Sequence, residues 1–338
     1  MKRKDAEFYV CPVTHSPLTL SEPLEANGEI VAGMLKSRAG HLYHIKQGVP
    51  DFTYPAQLAD ADAQARSFYD GRAEAYDQFL HLTFFTHNED ERNVRNNFIA
   101  ALNVQPSSRV LEISCGTGRD SELIAQKLGP EGQLYLQDIS PAMLARAQER
   151  LAGQRVPIAF DLSNACYLPY PDHYFDAVYS FGGIGEFSDI KRSLAEIVRV
   201  CKVGAKVVVG DESMPPWLRD TEFAKILITT NKQFLAPVPL EAMPIEARDV
   251  CLKWVIGGVF YLIEFTVGEG EPQGNFDFEI PGAKGGTYRT RYAGQLEGVT
   301  PETKQLAEQA RAKQGVSMHK WLDEIVREAA LKGLADKS

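Results

Sequence analysis

The chain has 338 residues, a formal net charge of −9 at pH 7 and a hydrophobic share of 44%. This length and apolar share allow a sizeable core, exclude wholesale disorder and leave room for one to three domains. The acidic balance disfavours nucleic-acid binding by the chain as a whole. Five scattered cysteines fit a reducing compartment better than a disulfide framework. With no apolar signal segment and no unbroken membrane-spanning stretch in the sequence, we expect a cytoplasmic protein without membrane contact.

Residues 1–54 are expected to form a small, separate β unit. Cys11, His15, His41 and His44 lie in it, and its alternating apolar residues predict short strands. One thiolate and three imidazoles are able in principle to bind tetrahedral zinc, but their spacing is not a common zinc pattern, so we favour a metal-free unit. The layout resembles the zinc-ribbon-like domain that precedes some methyltransferases, including bacterial rRNA guanine methyltransferases. The second Cys and the later Cys pair of that domain are missing here.

A lid helix is predicted over residues 64–80, where aromatic and apolar residues recur at helical spacing. The pattern F-Y-D-x-x-A-x-x-Y-D, which starts at Phe68, resembles the N-terminal helix of ubiquinone/menaquinone-type and related small-molecule methyltransferases. In that family the helix folds over the cofactor, with a Tyr near the methionine carboxylate. The resemblance makes Tyr69 and Tyr76 candidate cofactor contacts, whereas the alternative for each ring is simple packing on the core.

A strand, a tight glycine turn and a helix are predicted within residues 109–126, the first unit of a doubly wound sheet. The turn lacks the third glycine of a dinucleotide fingerprint and the Gly-Lys pair of a P-loop. The motif E-x-x-C-G-x-G instead resembles motif I of the class I S-adenosylmethionine-dependent methyltransferases. Ser114 stands in place of the first common glycine. In that family the turn holds the methionine moiety, so the resemblance implies cofactor contacts from Glu112, Ser114, Cys115, Gly116, Thr117 and Gly118.

The second strand of this half is predicted within residues 132–140 and ends in an acidic residue, Asp138. The carboxylate follows the glycine turn by about 20 positions, where it can accept both ribose hydroxyls of a nucleotide. The run D-I-S-P-A-M-L from Asp138 resembles the methyltransferase pattern D-x-S-x-x-M-L. In that pattern the residue after the Asp and the Met flank the adenine, which implies Ile139 and Met143 here. The alternative for Met143 is packing under the helix that Ser140 caps.

Residues 164–178 give the longest match, N-A-C-Y-L-P-Y-P-D-H-Y-F-D-A-V against the family's D-A-x-x-L-P-F-P-D-x-x-F-D-x-V. Asn164 stands where an Asp usually accepts from the adenine amino group, and an amide oxygen can still accept that bond. The resemblance implies that Ala165 offers its backbone N–H to adenine N1. We add Ser180 as a cofactor contact because ligands of open α/β sheets bind at the carboxyl ends of strands.

Methyl transfer is an in-line displacement at a sulfonium carbon, so the protein mainly aligns the nucleophile and excludes water. A general base is needed only when the acceptor must lose a proton early. By their position at the carboxyl edge of the sheet, Glu186 and Asp211 rank first as candidate catalytic residues. Glu212, with His87 and Tyr69 from the lid region, completes the set of candidate bases.

For residues 55–282 we expect an α/β fold, a Rossmann-like seven-stranded methyltransferase sheet with helices on both faces. A hairpin over residues 250–267 supplies its last two strands, and in this family the seventh strand lies antiparallel between the fifth and the sixth. Residues 283–338 are expected to form a strand, from Tyr288 to Tyr292, and two helices. This appendage resembles the ribbon-helix-helix module of bacterial repressors, whose paired strands read the DNA major groove. We favour dimerisation or packing on the enzyme over contact with DNA.

The sequence therefore predicts a methyltransferase that uses S-adenosyl-L-methionine, releases S-adenosyl-L-homocysteine and acts on a small organic acceptor as a homodimer. Two alternatives stay open. The N-terminal unit suggests an rRNA or tRNA methyltransferase, although the acidic charge disfavours nucleic acid as a partner. The C-terminal segment suggests a ligand-sensing DNA-binding regulator built on a methyltransferase fold.

Overall fold

A computed structural model describes residues 1–281, 286–296 and 298–335. Its contacts divide the chain into two compact units, Met1–Glu271 and Pro272–Ser338. The boundary that the sequence predicts after residue 282 lies outside the described residues, and the observed division comes earlier, after Glu271. In the part of the chain that is described, no helix combines the length and the apolar character needed to cross a bilayer.

The chain begins with a short helix and a four-stranded antiparallel sheet in the order β1-β2-β3-β4. These elements are α1 (Arg3–Phe8), β1 (Leu18–Ala26), β2 (Glu29–Ser37), β3 (Leu42–Lys46) and β4 (Val49–Pro50). The predicted β unit is present, but it is not separate. Tyr9 and Phe52 are buried in one core with Tyr170 of the following domain. The centroid of the Tyr9 ring lies 4.8 Å from that of Phe52 and 5.9 Å from that of Tyr170. The Phe52 N–H also donates to the carbonyl oxygen of Leu162 at 2.7 Å.

The main sheet has seven strands in the order β10-β11-β9-β8-β5-β6-β7. The strands are β5 (Arg109–Ile113), β6 (Gln133–Asp138), β7 (Ile158–Leu162), β8 (Phe175–Phe181), β9 (Cys201–Glu212), β10 (Ala247–Val255) and β11 (Phe260–Val267). Strands β5 to β9 run parallel, and β11 is antiparallel to both of its neighbours, β9 and β10. The predicted α/β class and the inserted seventh strand are confirmed.

Helices cover both faces of this sheet. They are α2 (Asp60–Asp70), α3 (Ala73–Thr86), α4 (Glu91–Ala100), α5 (Arg119–Ala125), α6 (Pro141–Leu151), α7 (Ile190–Val200) and α8 (Glu222–Thr230). Successive residues of β5 point to opposite faces. Val110 joins a core with Ile124 of α5 and Ala147 of α6, whereas Leu111 joins a second core with Ile197 of α7. Burial on both faces explains why the parallel strands read as apolar runs.

The lid region differs from its prediction as one helix over residues 64–80. Helix α2 ends at Asp70, and α3 begins at Ala73. Gly71 caps α2, and its N–H donates to the carbonyl oxygen of Ser67 at 3.2 Å. Glycine is a poor helix residue, so the chain breaks there and can place the rings of the two helices at different angles.

The second unit contains α9 (Tyr288–Ala293), α10 (Pro301–Gln314) and α11 (Met318–Ala335). The strand predicted from Tyr288 to Tyr292 is wrong, because these residues form α9. The Thr287 hydroxyl accepts from the Thr290 N–H at 3.1 Å, and this N-cap outweighs the short alternation of tyrosines and arginines. The two later helices are confirmed. Part of the predicted appendage, residues 283–285, 297 and 336–338, lies outside the described residues.

Candidate functional site

A cavity opens where the parallel strands β5, β6, β8 and β9 end, and helices α2 and α3 supply its other wall. Most of the predicted site residues line it: Tyr69, Tyr76, Glu112, Ser114, Cys115, Gly116, Thr117, Asp138, Ile139, Met143, Asn164, Ala165 and Glu186. Gly118, Ser180 and Asp211 do not line it. The motifs that are dispersed in sequence therefore meet at one edge of the sheet.

The two glycines in the turn after β5 have different surroundings. Ser114 and Gly116 both have left-handed backbones, with φ of 55° and 54°, and a Cβ built on Gly116 would meet no atom within 4 Å. Gly116 thus leaves open space on the cavity side. Gly118, with φ of 79°, packs against α6, because a Cβ there would lie 3.2 Å from the Cβ of Ala147. Gly118 therefore allows the turn to pack closely on α6, and it does not form part of the cavity wall.

Asp138 joins this turn to the start of α6. The Gly116 N–H donates to its Oδ2 and the Ser140 N–H donates to its Oδ1, each at 2.8 Å. Burial raises the pKa of the Asp138 carboxyl to about 6. Each carboxylate oxygen keeps a lone pair for a further donor, so the group can still accept two hydroxyls.

Asn164 is held by a residue that the sequence did not reveal. Its Oδ1 accepts from the Cys166 N–H and its Nδ2 donates to Oδ2 of Asp62, both at 2.9 Å. Asp62, on the lid helix α2, also accepts from the N–H and the hydroxyl of Ser188 at 3.0 and 2.7 Å. Its stretch of alanines gave no sign that this carboxylate is buried in the cavity wall.

A second buried group connects α4 to α5. Arg95 Nη1 donates to Oδ2 of Asp120 at 2.7 Å, and the Tyr179 hydroxyl donates to the same oxygen at 3.1 Å. Oδ1 of Asp120 is buried and has no hydrogen-bond partner among the described residues. Glu112 accepts from the Ser121 hydroxyl at 2.6 Å, and burial, reinforced by Asp120, raises the pKa of Glu112. The cavity therefore carries an unused acceptor beside a buried arginine.

The candidate bases differ in access. The Tyr69 hydroxyl donates to Oε1 of Glu186 at 3.2 Å. Asp211 is buried and away from the cavity, since its oxygens accept from the Gly185 N–H at 2.6 Å and the Glu212 N–H at 2.8 Å. Glu212, which the sequence made a weaker candidate base than Asp211, lines the cavity together with Glu186. Burial, with Asp211 adding to it, raises the pKa of both glutamates. Asp211 fits a structural role better than the catalytic role predicted for it.

Other candidates from the sequence have different neighbours. Ser180 is fully buried, and its Oγ has no hydrogen-bond partner in the described part of the chain. The His87 ring lies against Phe223, with centroids 6.0 Å apart. Cys11 Sγ is 3.1 Å from the Tyr43 hydroxyl. Within residues 1–281, 286–296 and 298–335, no group of three or more His, Cys, Asp or Glu side chains has an arrangement that could hold a metal ion.

Comparison with known proteins agrees with this geometry. Residues 110–204 match the family described as "Methyltransferase domain". The ubiquinone/menaquinone biosynthesis C-methyltransferase of Cupriavidus pinatubonensis is 40% identical over 111 residues, 33% of this chain and 46% of that protein. Its counterpart in Bordetella avium is 31% identical over 175 residues, 51% of this chain and 64% of that protein. The chain spans about half the length of the curated relatives it matches.

The chain is also similar to solved structures, at low sequence identity. A SAM-dependent methyltransferase from Aquifex aeolicus has 16% identity and a TM-score of 0.38, and the match covers 51% of this chain and 89% of that one. Phosphoethanolamine N-methyltransferase 2 of Haemonchus contortus has 14% identity and a TM-score of 0.47, with 73% of this chain and 71% of that one covered.

Proposed function

Because residues 110–204 match the family described as "Methyltransferase domain", we propose that this chain is a class I S-adenosylmethionine-dependent methyltransferase that methylates a small organic acceptor and releases S-adenosylhomocysteine. The observation that carries the proposal is a single cavity at the strand ends that brings together Gly116, Asp138 and Asn164. Their order along the sheet suits an extended nucleoside with an attached amino acid. The comparisons do not favour the RNA methyltransferase or the DNA-binding regulator.

The nucleoside end of the site is assigned to β6 and the loop after β7. Asp138 accepts the two ribose hydroxyls with the lone pairs that its backbone donors leave free. Ile139 and Met143 flank the adenine, and Ala165 offers its N–H to the ring. Asn164 contributes its Oδ1, which has one lone pair left after the bond from Cys166. The residues given these roles come from the sequence motifs, and all of them line the cavity.

The methionine end of the site is assigned to the turn after β5. Gly116 leaves room for the chain of the cofactor, and the unpartnered Oδ1 of Asp120 is placed to accept from its ammonium group together with Glu112. Arg95 also lines the cavity, and its guanidinium, which binds Glu91 and Asp120, is assigned to the carboxylate of the cofactor as well. Tyr69 and Tyr76 cover the site from the lid helices.

S-adenosylmethionine supplies an electrophilic methyl group on a sulfonium, which is a good leaving group. The work of the chain is therefore alignment of the acceptor and exclusion of water. Glu186 and Glu212 face the cavity beyond the turn, on the β8 and β9 side, and we assign the acceptor to that side. We propose that they orient the acceptor and take a proton where it must lose one.

Isothermal titration of S-adenosylhomocysteine tests the proposal. We expect clear binding by the full chain and a loss of at least about a hundredfold in Asp138→Ala, because two hydrogen bonds to a charged group disappear, each worth roughly 1.5–3 kcal/mol. The matched control is Asp220→Ala, which removes an exposed carboxyl outside the cavity wall and should leave affinity unchanged. Absence of binding to the full chain, or equal affinity in Asp138→Ala, would overturn the assignment.

We also propose that the protein is a cytoplasmic homodimer. Five free cysteines support a reducing compartment. In the second unit, α11 exposes Ile325, Val326, Leu331 and Leu334, with 41 to 73% of each residue accessible. A helix with so much apolar surface suits pairing with a second copy. Light scattering should give twice the chain mass for the full-length protein and the single mass for Val326→Glu. A single mass for both proteins would exclude the dimer.

A further inference from the structure

The acceptor side of the cavity has a charge that the cofactor does not explain. The sheet order places β8 and β9 on the opposite side of β5 from β6 and β7. The nucleoside residues end β6 and follow β7, so the nucleoside and the acceptor occupy opposite sides of the central turn. Glu186 follows β8 and Glu212 ends β9, and both line the cavity.

No basic side chain in the described part of the chain pairs with Glu186 or Glu212. Among the described residues, Oε1 of Glu186 accepts only from the Tyr69 hydroxyl, and Oε1 of Glu212 lies 3.5 Å from Nδ2 of Asn231. Both of these donors are uncharged, and the Asp211 carboxyl adds negative charge near the two glutamates. Two carboxyl groups partly removed from water thus lack a counter-charge, and a cationic ligand would stabilise their ionised forms.

The arginines of the cavity are committed elsewhere. Arg95 binds Glu91 and Asp120, at 2.9 and 2.7 Å. Arg119 binds Asp77 and Glu91, at 2.9 and 2.8 Å. These four contacts are close ion pairs. Neither guanidinium is free to neutralise the acceptor side.

The same cavity has a further acceptor without a donor. Oδ1 of Asp120 is buried, lines the wall and is unpartnered among the described residues. The ammonium group of the methionine moiety accounts for this oxygen and for Glu112. The cofactor therefore leaves Glu186 and Glu212 for a second positively charged molecule.

Aromatic rings complete the surroundings of the two glutamates. Tyr69 and Tyr76 meet edge to face with centroids 5.9 Å apart, and Phe181 and Phe260 stack at 5.8 Å. All four line the cavity. Ring faces attract ammonium groups and exclude water from them, whereas they offer nothing to an anionic acceptor. Carboxylates surrounded by aromatic rings are typical of a site that binds an organic cation.

We propose that the methyl acceptor is a small organic amine, bound as its ammonium ion by Glu186 and Glu212 and methylated on nitrogen. This inference rests on the proposed methyltransferase function. One N–H proton passes to the glutamate pair and frees the nitrogen lone pair, which forms a bond to the methyl carbon. The S–C bond breaks, its electrons stay on sulfur as a neutral thioether, and the nitrogen carries the positive charge.

The test is a panel of acceptors given to the full-length protein with S-adenosylmethionine, with products identified by mass spectrometry. The amines are benzylamine, phenethylamine and a linear diamine, and the non-amines are catechol and a naphthohydroquinone. We expect methylation on nitrogen of at least one amine. Glu186→Gln and Glu212→Gln should each lower kcat/KM for that amine at least about tenfold, as expected when a charged partner is lost. The matched control Glu149→Gln, on the exposed side of α6, should not change it.

Titration of S-adenosylhomocysteine into each variant separates the two claims. Unchanged binding by both Gln variants, with amine turnover lost, supports the acceptor site and shows that the variants fold. Methylation of catechol or the naphthohydroquinone alone would overturn the amine but keep the methyltransferase. Binding of S-adenosylhomocysteine without any amine turnover, or Gln variants that keep full amine turnover, would also overturn it. Failure of the full chain to bind S-adenosylhomocysteine would defeat the proposed function itself.

Discussion

The two sides of the cavity are built differently. On the nucleoside side the polar groups are fixed by the protein: Asp138 accepts two backbone N–H groups, and Asn164 uses both ends of its amide. On the acceptor side Glu186 has one hydroxyl donor and Glu212 one distant amide. A site that is hydrogen-bonded before its ligand arrives suits an unvarying cofactor, because little has to be reordered on binding. We therefore propose that the side of Glu186 and Glu212 determines specificity for the acceptor.

The largest effect is expected at the methionine end, between the two sides. Arg95→Ala removes the counter-charge of Asp120 in a site where both side chains are almost fully buried. Breaking a buried ion pair costs about 3–5 kcal/mol, so the free energy of unfolding should fall by roughly that amount. Denaturant unfolding measures it, with Arg155→Ala at an exposed position as control. A loss below about 1 kcal/mol would show that water reaches Asp120 and that the ion pair contributes little to the free energy of unfolding.

An intermediate effect is expected from pH on the nucleoside side. Burial raises the pKa of Asp138 to about 6, above its value in the unfolded chain, so ionisation costs stability as pH rises through 6 and the neutral form is favoured below it. Accepting two ribose hydroxyls requires the ionised form. The ionised fraction falls from about one half at pH 6 to about one eleventh at pH 5, so affinity for S-adenosylhomocysteine should fall about sixfold over that range.

The control for this pH dependence is Asp138→Asn, which cannot ionise. Its weaker affinity should vary much less over the same range, and the difference between the two titrations isolates Asp138 from the other cavity carboxyls. Parallel curves for the two proteins would assign the pH dependence to another group.

The smallest effect is expected where the lid meets the nucleoside side. Asp62→Ala removes the bonds from Asn164 and Ser188, and Asn164 then becomes free to turn. We expect affinity for S-adenosylhomocysteine to fall about fivefold, and amide exchange in α2 to become faster. The exposed Asp60→Ala, on the same helix, is the matched control. Unchanged exchange in α2 would mean that Asp62 does not hold the lid.

The two sides of the cavity also differ in how much of their structure the sequence predicts. The turn after β5, Asp138 and residues 164–178 lie within short strand–turn–helix units, where the order of residue types determines which side chains reach the strand end. The hairpin over residues 250–267 followed from its local pattern, whereas the place of the inserted strand in the sheet followed from the resemblance to the methyltransferase family. The positions of Asp138, Ile139, Met143, Asn164 and Ala165 in the cavity wall could therefore be predicted from the sequence.

The contacts that the sequence did not reveal join distant segments. Asp62 meets Asn164 across 102 positions and Tyr69 meets Glu186 across 117, and neither pair has a periodic or motif-like signal. Asp211 and Glu212 are adjacent, so only the direction of the β9 end decides which carboxyl enters the cavity. The strand predicted from Tyr288 failed for a local reason, since the Thr287 cap favours a helix.

The most direct measurement is a crystal structure of the full chain with S-adenosylhomocysteine. We predict that the ribose hydroxyls lie within about 3 Å of the Asp138 oxygens, the usual hydrogen-bond distance, with the sulfur pointing toward Glu186 and Glu212. A ligand bound in another place, or bound in this cavity without contact between its ribose and Asp138, would contradict the assignment of the two sides.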